Sequence, residues 1–166
     1  MFVNAGHGYF TTLEEITEHE YDHPFDVNVK GALFTVQKFL PLLQQGSRII
    51  LTASAVHEKG VPMGSLYFAT KAAVRSLGRS LAAELAPRGI RVNTLSPGIV
   101  RTNFQESTNI GAAGSETFVQ MVIDQAPLQR AGTTNEMAQA ALFLASQQSS
   151  YMTAADLLID GGWMSI

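Results

Sequence analysis

The stretch "RIILTAS", residues 48–54, is short, almost wholly apolar and rich in β-branched side chains. A second stretch, "IRVNTLS" (residues 90–96), has the same character, and a third, "DLLID" (residues 156–160), runs into Gly161-Gly162. Runs of this kind suit parallel strands buried on both faces. Helical patterns lie between them. "TTLEEITEHEY" (residues 11–21) opens with Thr12 and Glu15 in capping-box spacing, and "TTNEMAQAALFLAS" (residues 133–146) repeats the device with Thr133 and Glu136. "VNVKGALFTVQKFLPLL" (residues 27–43) sets Val29, Leu33, Val36 and Leu40 on one stripe. "SLYFATKAAVRSLGRSLAAELAPRG" (residues 65–89) repeats Leu66, Ala69, Ala73, Leu77 and Leu81 before Pro87 and Gly89 stop it. Strands alternating with helices predict an α/β fold with a parallel sheet and flanking helices. The Gly- and Ser-containing stretch Asn103–Ser115 has no clear period and reads as a mobile loop.

The totals agree with one compact unit. A chain of 166 residues suits a single domain, 1–166, and 46% hydrophobic against 15% charged residues means that much of it is buried. The net charge of −3 and the absence of a Lys/Arg cluster argue against nucleic acid or an anionic membrane as partner. There is no Cys, which fits a cytoplasmic protein, no secretory signal, and no apolar run near the roughly 18 residues of a membrane helix.

Within "SLYFATK" (residues 65–71), Tyr67 and Lys71 stand four apart, so a helix turns them to the same side. A phenol titrates near pH 10, about three units too high for a base at neutrality, a gap of roughly 4 kcal/mol. A neighbouring ammonium favours phenolate and supplies part of it. The pair alone is more often a solvated helix face. Here Ser54 ends a predicted parallel strand 13 residues earlier, where α/β sheets place their ligand crevices. Asn28 lies in "FDVNVKG", and "SPGIVRT" follows the next strand end.

A competing pattern is "HEYDH", His19 to His23, which matches H-E-x-x-H of zinc hydrolases. Pro24 directly follows His23 and is expected to push it out of helical geometry. No metal site is expected.

Taken together, "NAG" (residues 4–6), "DVNVKG" (26–31), Ser54, "YFATK" (67–71), "RVNTLSPGIVRT" (91–102) and "SSYMTAADLLIDGG" (149–162) resemble the short-chain dehydrogenase/reductase family, in its acyl-carrier-protein-reductase-like branch. The resemblance covers essentially the whole chain and implies a Rossmann-like, three-layer α/β fold. It implies hydride transfer between a nicotinamide cofactor, NAD or NADP, and a small alcohol or carbonyl substrate. Tyr67 is then the acid/base, Lys71 lowers its pKa and holds the nicotinamide ribose, Ser54 binds the reacting oxygen, and Asn28 holds a water. Asn4, Ala5 and Gly6 would line the adenosine side, and Pro97, Gly98, Ile99 and Thr102 the carboxamide side. The family's subunit interfaces imply a homodimer or homotetramer, built on Val27–Leu43, Ser65–Ala86 and Asn135–Asp160. Its substrate lid maps onto Asn103–Ser115 and the helix "ETFVQMVIDQ", with Phe104, Phe118 and Met121 as apolar lid residues.

Two departures stand out. The family begins with a strand and a Gly-rich turn that receives the pyrophosphate at a helix N-terminus. These 166 residues carry no such turn, so the chain reads as the C-terminal two-thirds of the family's domain, with on the order of 80 residues absent at ~30 per βαβ unit. The expectation is weak or no dinucleotide binding by this chain alone, and the alternative is a non-catalytic scaffold that self-associates or docks onto a partner. Ala154 also stands where the family usually has Gly, which reduces backbone freedom at that turn.

Overall fold

The computed structural model describes residues 1–105 and 108–165. At its centre is a four-stranded sheet of β1 (Phe2–Val3), β2 (Arg48–Thr52), β3 (Arg91–Pro97) and β4 (Asp156–Ile159), arranged in sequence order. Every pairing is parallel, with Phe2 opposite Ile50, Ile50 opposite Asn93, and Leu95 opposite Leu157. Successive strand side chains point to opposite faces. Ile49 and Leu51 therefore join Val36, Val74 and Val92 under α2 (Gly31–Phe39) and α3 (Ser65–Leu85). Ile50 joins Leu95, Ala140 and Leu144 on the other face, beneath α5 (Thr134–Ala145). The result is the Rossmann-like, three-layer arrangement expected from the sequence.

Ile49, Leu51, Val92, Leu95 and Leu144 are each at most 1% exposed. At about 1.5–3 kcal/mol per buried aliphatic side chain, these few outweigh the exposed ion pairs Arg101–Glu116 and Arg130–Glu136, which water and salt screen. After α3, Gly89 at φ +68° takes the left-handed turn that returns the chain to β3, as the Pro87/Gly89 stop signal predicts. Among the described residues no helix is long and apolar enough to cross a membrane.

Three local expectations are corrected. The Thr12/Glu15 capping box does not form; Leu13–Glu15 is a single 3-10 turn, and the Glu15 carboxylate accepts from Thr11 Oγ1 at 3.1 Å. The later Thr17/Glu20 pair forms the box instead, and α1 spans Glu18–Phe25. Pro24 lies inside α1 and does not end it at His23. The bond that its missing N–H would make is lost, and the helix widens just beyond into a π turn at Asp26–Lys30 before α2 begins. Finally, α4 (Gly111–Gln125) starts inside the stretch read as a loop, so residues 111–115 are helical; Glu106 and Ser107 of that stretch lie outside the described residues.

Candidate active site

Tyr67 and Lys71 lie in the first two turns of α3 and are 9% and 4% exposed. The ammonium does not reach the phenol oxygen. Lys71 Nζ sits 5.7 Å from the centre of the Tyr67 ring and donates to Thr52 O at 3.0 Å, at the end of β2. The loop after β1 passes so close that a Cβ on Gly6 would stand 3.2 Å from Lys71 Nζ and 3.6 Å from Asn28 Oδ1.

Ser54 follows β2 and caps the next 3-10 turn, with Oγ accepting from Val56 N at 3.5 Å and reaching Pro97 O at 3.5 Å. Both bonds are long, so the hydroxyl is weakly held. Burial pushes the Tyr67 phenol up to about 12, and a hydrogen bond from Ser54 pulls it back slightly. Burial brings Lys71 down to about 8. Desolvation therefore favours the neutral form of both groups.

Asn28 is fully committed. Its Oδ1 accepts from His7 N at 2.7 Å, while Nδ2 donates to His7 O and to Thr70 Oγ1, each at 2.9 Å. Thr70, fully buried, donates in turn to Tyr67 O at 2.7 Å. Sequence reasoning missed Thr70 and the His7 backbone. A threonine three residues after the tyrosine in an Ala-rich helix was the one available signal.

A cavity of about 410 Å³ opens at the C-terminal ends of the strands. It is lined by Ser54, Tyr67 and Lys71 together with Asn4, Gly6, Pro97, Gly98, Ile99 and Thr102 of the predicted cofactor set. Asn28 and Ala5 do not line it. Asn28 acts from behind, through Thr70, and Ala5 is exposed beside the opening. The shelf fits a nicotinamide nucleotide in kind. Its exposed backbone at Asn4–Gly6 faces a buried ammonium that has donors beyond the one spent on Thr52 O.

A second polar cluster, also missed, supports Ser54 from below. Asp156 Oδ1 accepts from Thr94 Oγ1 at 2.5 Å and Ser96 Oγ at 2.7 Å, and Oδ2 lies 3.6 Å from His57 Nε2. His57 Nδ1 is 2.5 Å from Ser54 O. The zinc-like motif is occupied differently. Glu20 accepts from the Tyr9 hydroxyl and from Thr17, and the described residues hold no cluster of three or more metal-ligating side chains.

The family model described as enoyl-(acyl carrier protein) reductase matches residues 1–164. The chain is 43% identical to oxidoreductase asL5 of Sarocladium schorii, over all of this chain and 66% of that protein. It is 36% identical to the 3-oxoacyl-[acyl-carrier-protein] reductase FabG of Staphylococcus epidermidis, over 96% of this chain and 64% of the relative. Among solved structures, the 3-ketoacyl-(acyl-carrier-protein) reductase of Brucella melitensis complexed with NADH superposes with a TM-score of 0.85 at 30% identity, over 98% of this chain and 66% of that one. A short-chain dehydrogenase/reductase of Serratia marcescens gives 0.88 at 29%, over 99% and 64%. The chain thus spans just under two thirds of the length of these relatives. With the family model spanning residues 1–164 and relatives and solved structures of the same fold at 29–43% identity, the chain belongs to the short-chain dehydrogenase/reductase family.

Proposed function

We propose that the chain forms the acid/base and substrate-binding part of an oxidoreductase that interconverts an alcohol and a carbonyl compound with NAD or NADP. The observation that carries this reading is the convergence of Tyr67, Ser54 and Lys71 on one cavity at the carboxyl ends of parallel strands. When bound, the nicotinamide supplies or accepts the hydride at the substrate carbon. In reduction, Tyr67 gives its proton to the substrate oxygen, so the carbonyl becomes an alcohol; in oxidation it takes that proton back. Ser54, weakly held by its own neighbours, is free to turn its hydroxyl to the same oxygen. Lys71 holds the ribose and favours phenolate. Asn4, Gly6, Pro97, Gly98, Ile99 and Thr102 line the cofactor side, with Ala5 beside them. Asn28 fixes the height of the site through His7 and Thr70.

The test is a chimera that places the N-terminal third of the Staphylococcus epidermidis reductase ahead of Met1. Tyr67→Phe in that chimera should lower turnover by about 10²–10⁴-fold with unchanged circular dichroism. Near-parental rates would remove Tyr67 from the proton-transfer role. We also propose a homo-oligomer: α2 exposes Phe34 (44%) and Phe39 (50%), and α5 exposes Leu142 (61%). Light scattering that gives a monomer mass across a concentration series would refute it.

A further inference from the structure

The polar lining of the cavity is largely spent on itself. Gln105 Nε2 donates to Val100 O at 2.8 Å, and its Oε1 accepts from Thr102 N at 3.0 Å. Thr108 Oγ1 and Ser115 Oγ donate to Gln105 O at 2.8 and 2.9 Å. Asn4 Oδ1 accepts from Thr52 Oγ1 at 2.8 Å. Lys71 is the sole charged side chain among the described residues that line the cavity, and its buried ammonium is already on Thr52 O. Next to the aromatic residues what remains for a ligand is the Ser54 and Tyr67 hydroxyls; the Asn4 amide nitrogen and the other Lys71 donors belong to the side proposed for the cofactor.

Around those two hydroxyls stand aromatic rings from separate parts of the chain. Phe10, in the loop after β1, has its ring centre 5.5 Å from that of Tyr67, tilted by 53°. Phe104, after β3, lies 5.7 Å from Tyr67 at 42°. Phe118, on α4, lies 6.1 Å from Phe10 at 41°. Gly8 leaves room for the first two: a Cβ there would stand 2.8 Å from Phe104 Cζ and 3.3 Å from Phe10 Cε2. Against the rings a carboxylate or phosphate would lose its water with no charged side chain beside it, since Lys71, the one charge of the described lining, is held on Thr52 O at the end of β2. A ligand ring would lie against an aromatic wall whose own members already pack at tilted angles, and aromatic pairs prefer such offset or edge contacts.

We infer that the pocket takes an uncharged, aryl-bearing carbonyl compound or the corresponding alcohol, with its single oxygen at Ser54 and Tyr67 and its ring among Phe10, Phe104 and Phe118. Which bond reacts rests on the oxidoreductase reading; the binding preference does not. Trp163 is the only tryptophan and lines the cavity, so its emission reports occupancy on this chain without cofactor or turnover. The 166-residue chain is titrated with 4-phenyl-2-butanone, with 4-(3-oxobutyl)benzoate, which adds a carboxylate, and with 4-cyclohexyl-2-butanone, which removes the aromaticity.

The phenyl ketone should saturate the signal and bind about tenfold or more tightly than the carboxylate. Phe118→Leu keeps apolar bulk without the ring, and should weaken the phenyl ketone by about three- to tenfold while leaving the cyclohexyl ketone unchanged. Phe104→Leu repeats the measurement should the first variant fold poorly. Equal or tighter binding of the carboxylate, no ring preference, or no saturable binding would each overturn the inference. Turnover by the chimera separates the two readings. Binding of the phenyl ketone without its reduction sinks the oxidoreductase reading and leaves the pocket inference standing. Reduction confined to charged ketones does the reverse.

Discussion

Replacing Lys71 by Met should stabilise the isolated chain at neutral pH. The fall of the Lys71 pKa from 10.5 to about 8 means that burial disfavours its charged form by about 3 kcal/mol. At pH 7 the folded chain still carries that proton, so the penalty is present in full. Met has similar length and no charge. It forfeits the bond from Nζ to Thr52 O, a loss of about 1 kcal/mol. The expected net gain is about 2 kcal/mol.

The pH dependence gives the argument a second edge. Between about 8 and 10.5 the unfolded chain holds the Lys71 proton and the folded chain does not, so stability rises with pH through this window and is lost as pH falls through about 8. Tyr67 works in the opposite sense. Its folded pKa of about 12 lies above the ordinary 10, so its contribution is complete below 10 and disappears as pH climbs toward 12. The parent chain should therefore gain stability from pH 8 to about 10 and lose it beyond, whereas Lys71→Met should lack the rise. Urea unfolding followed by circular dichroism at pH 7, 8, 9 and 10 measures both. A variant less stable than its parent at pH 7, together with a parent flat from pH 8 to 10, would refute the reasoning.

Two further substitutions probe the backbone around the site. Ala154 holds φ +59° with its N–H on Val92 O at 2.7 Å, so Ala154→Gly should raise stability by about 0.5–1 kcal/mol, read as a higher urea midpoint. A Cβ on Gly98 would stand 2.6 Å from Asp160 Cα, a backbone atom that cannot swing aside; Gly98→Ala should lower stability by about 1–3 kcal/mol, visible as a reduced thermal midpoint.

The strands and long helices were legible because each depends on a local pattern: the apolar runs at 48–54 and 90–96 and the Thr133/Glu136 box of α5. The Leu/Ala stripe marked α3 as a helix but not its buried face, which is Tyr67, Lys71, Val74, Gly78 and Ala82, while Ala69 is exposed. The errors came where local signals competed. Thr12/Glu15 and Thr17/Glu20 offer the same capping chemistry five residues apart, and the choice between them was made by Thr11 taking the Glu15 carboxylate. Pro24 was read from its own stereochemistry, yet it is buried in α1, where packing outweighs one lost hydrogen bond. That Ser54, Tyr67 and Lys71 line one cavity was legible from spacing, strand position and the family resemblance. The Asp156–His57 cluster was not. Asp156 and Ser54 are about a hundred residues apart in sequence, and His57 bridges them only because β4 pairs with β3 and β3 with β2.

Asn28 shows how such a site is held by groups that do no chemistry. Both Nδ2 hydrogens and Oδ1 are used, which leaves the side-chain amide little capacity for the water expected there. The amide joins the loop after β1, the π turn and α3 in one continuous run from the His7 backbone through Thr70 to the carbonyl of Tyr67. Every member near its centre is buried, so breaking one bond strands at least one partner, at about 1–3 kcal/mol for each group left unpaired. A run with that penalty at each link has one favourable geometry. It fixes the first turn of α3 against the loop that carries Gly6, and so sets the depth at which the Tyr67 hydroxyl enters the cavity.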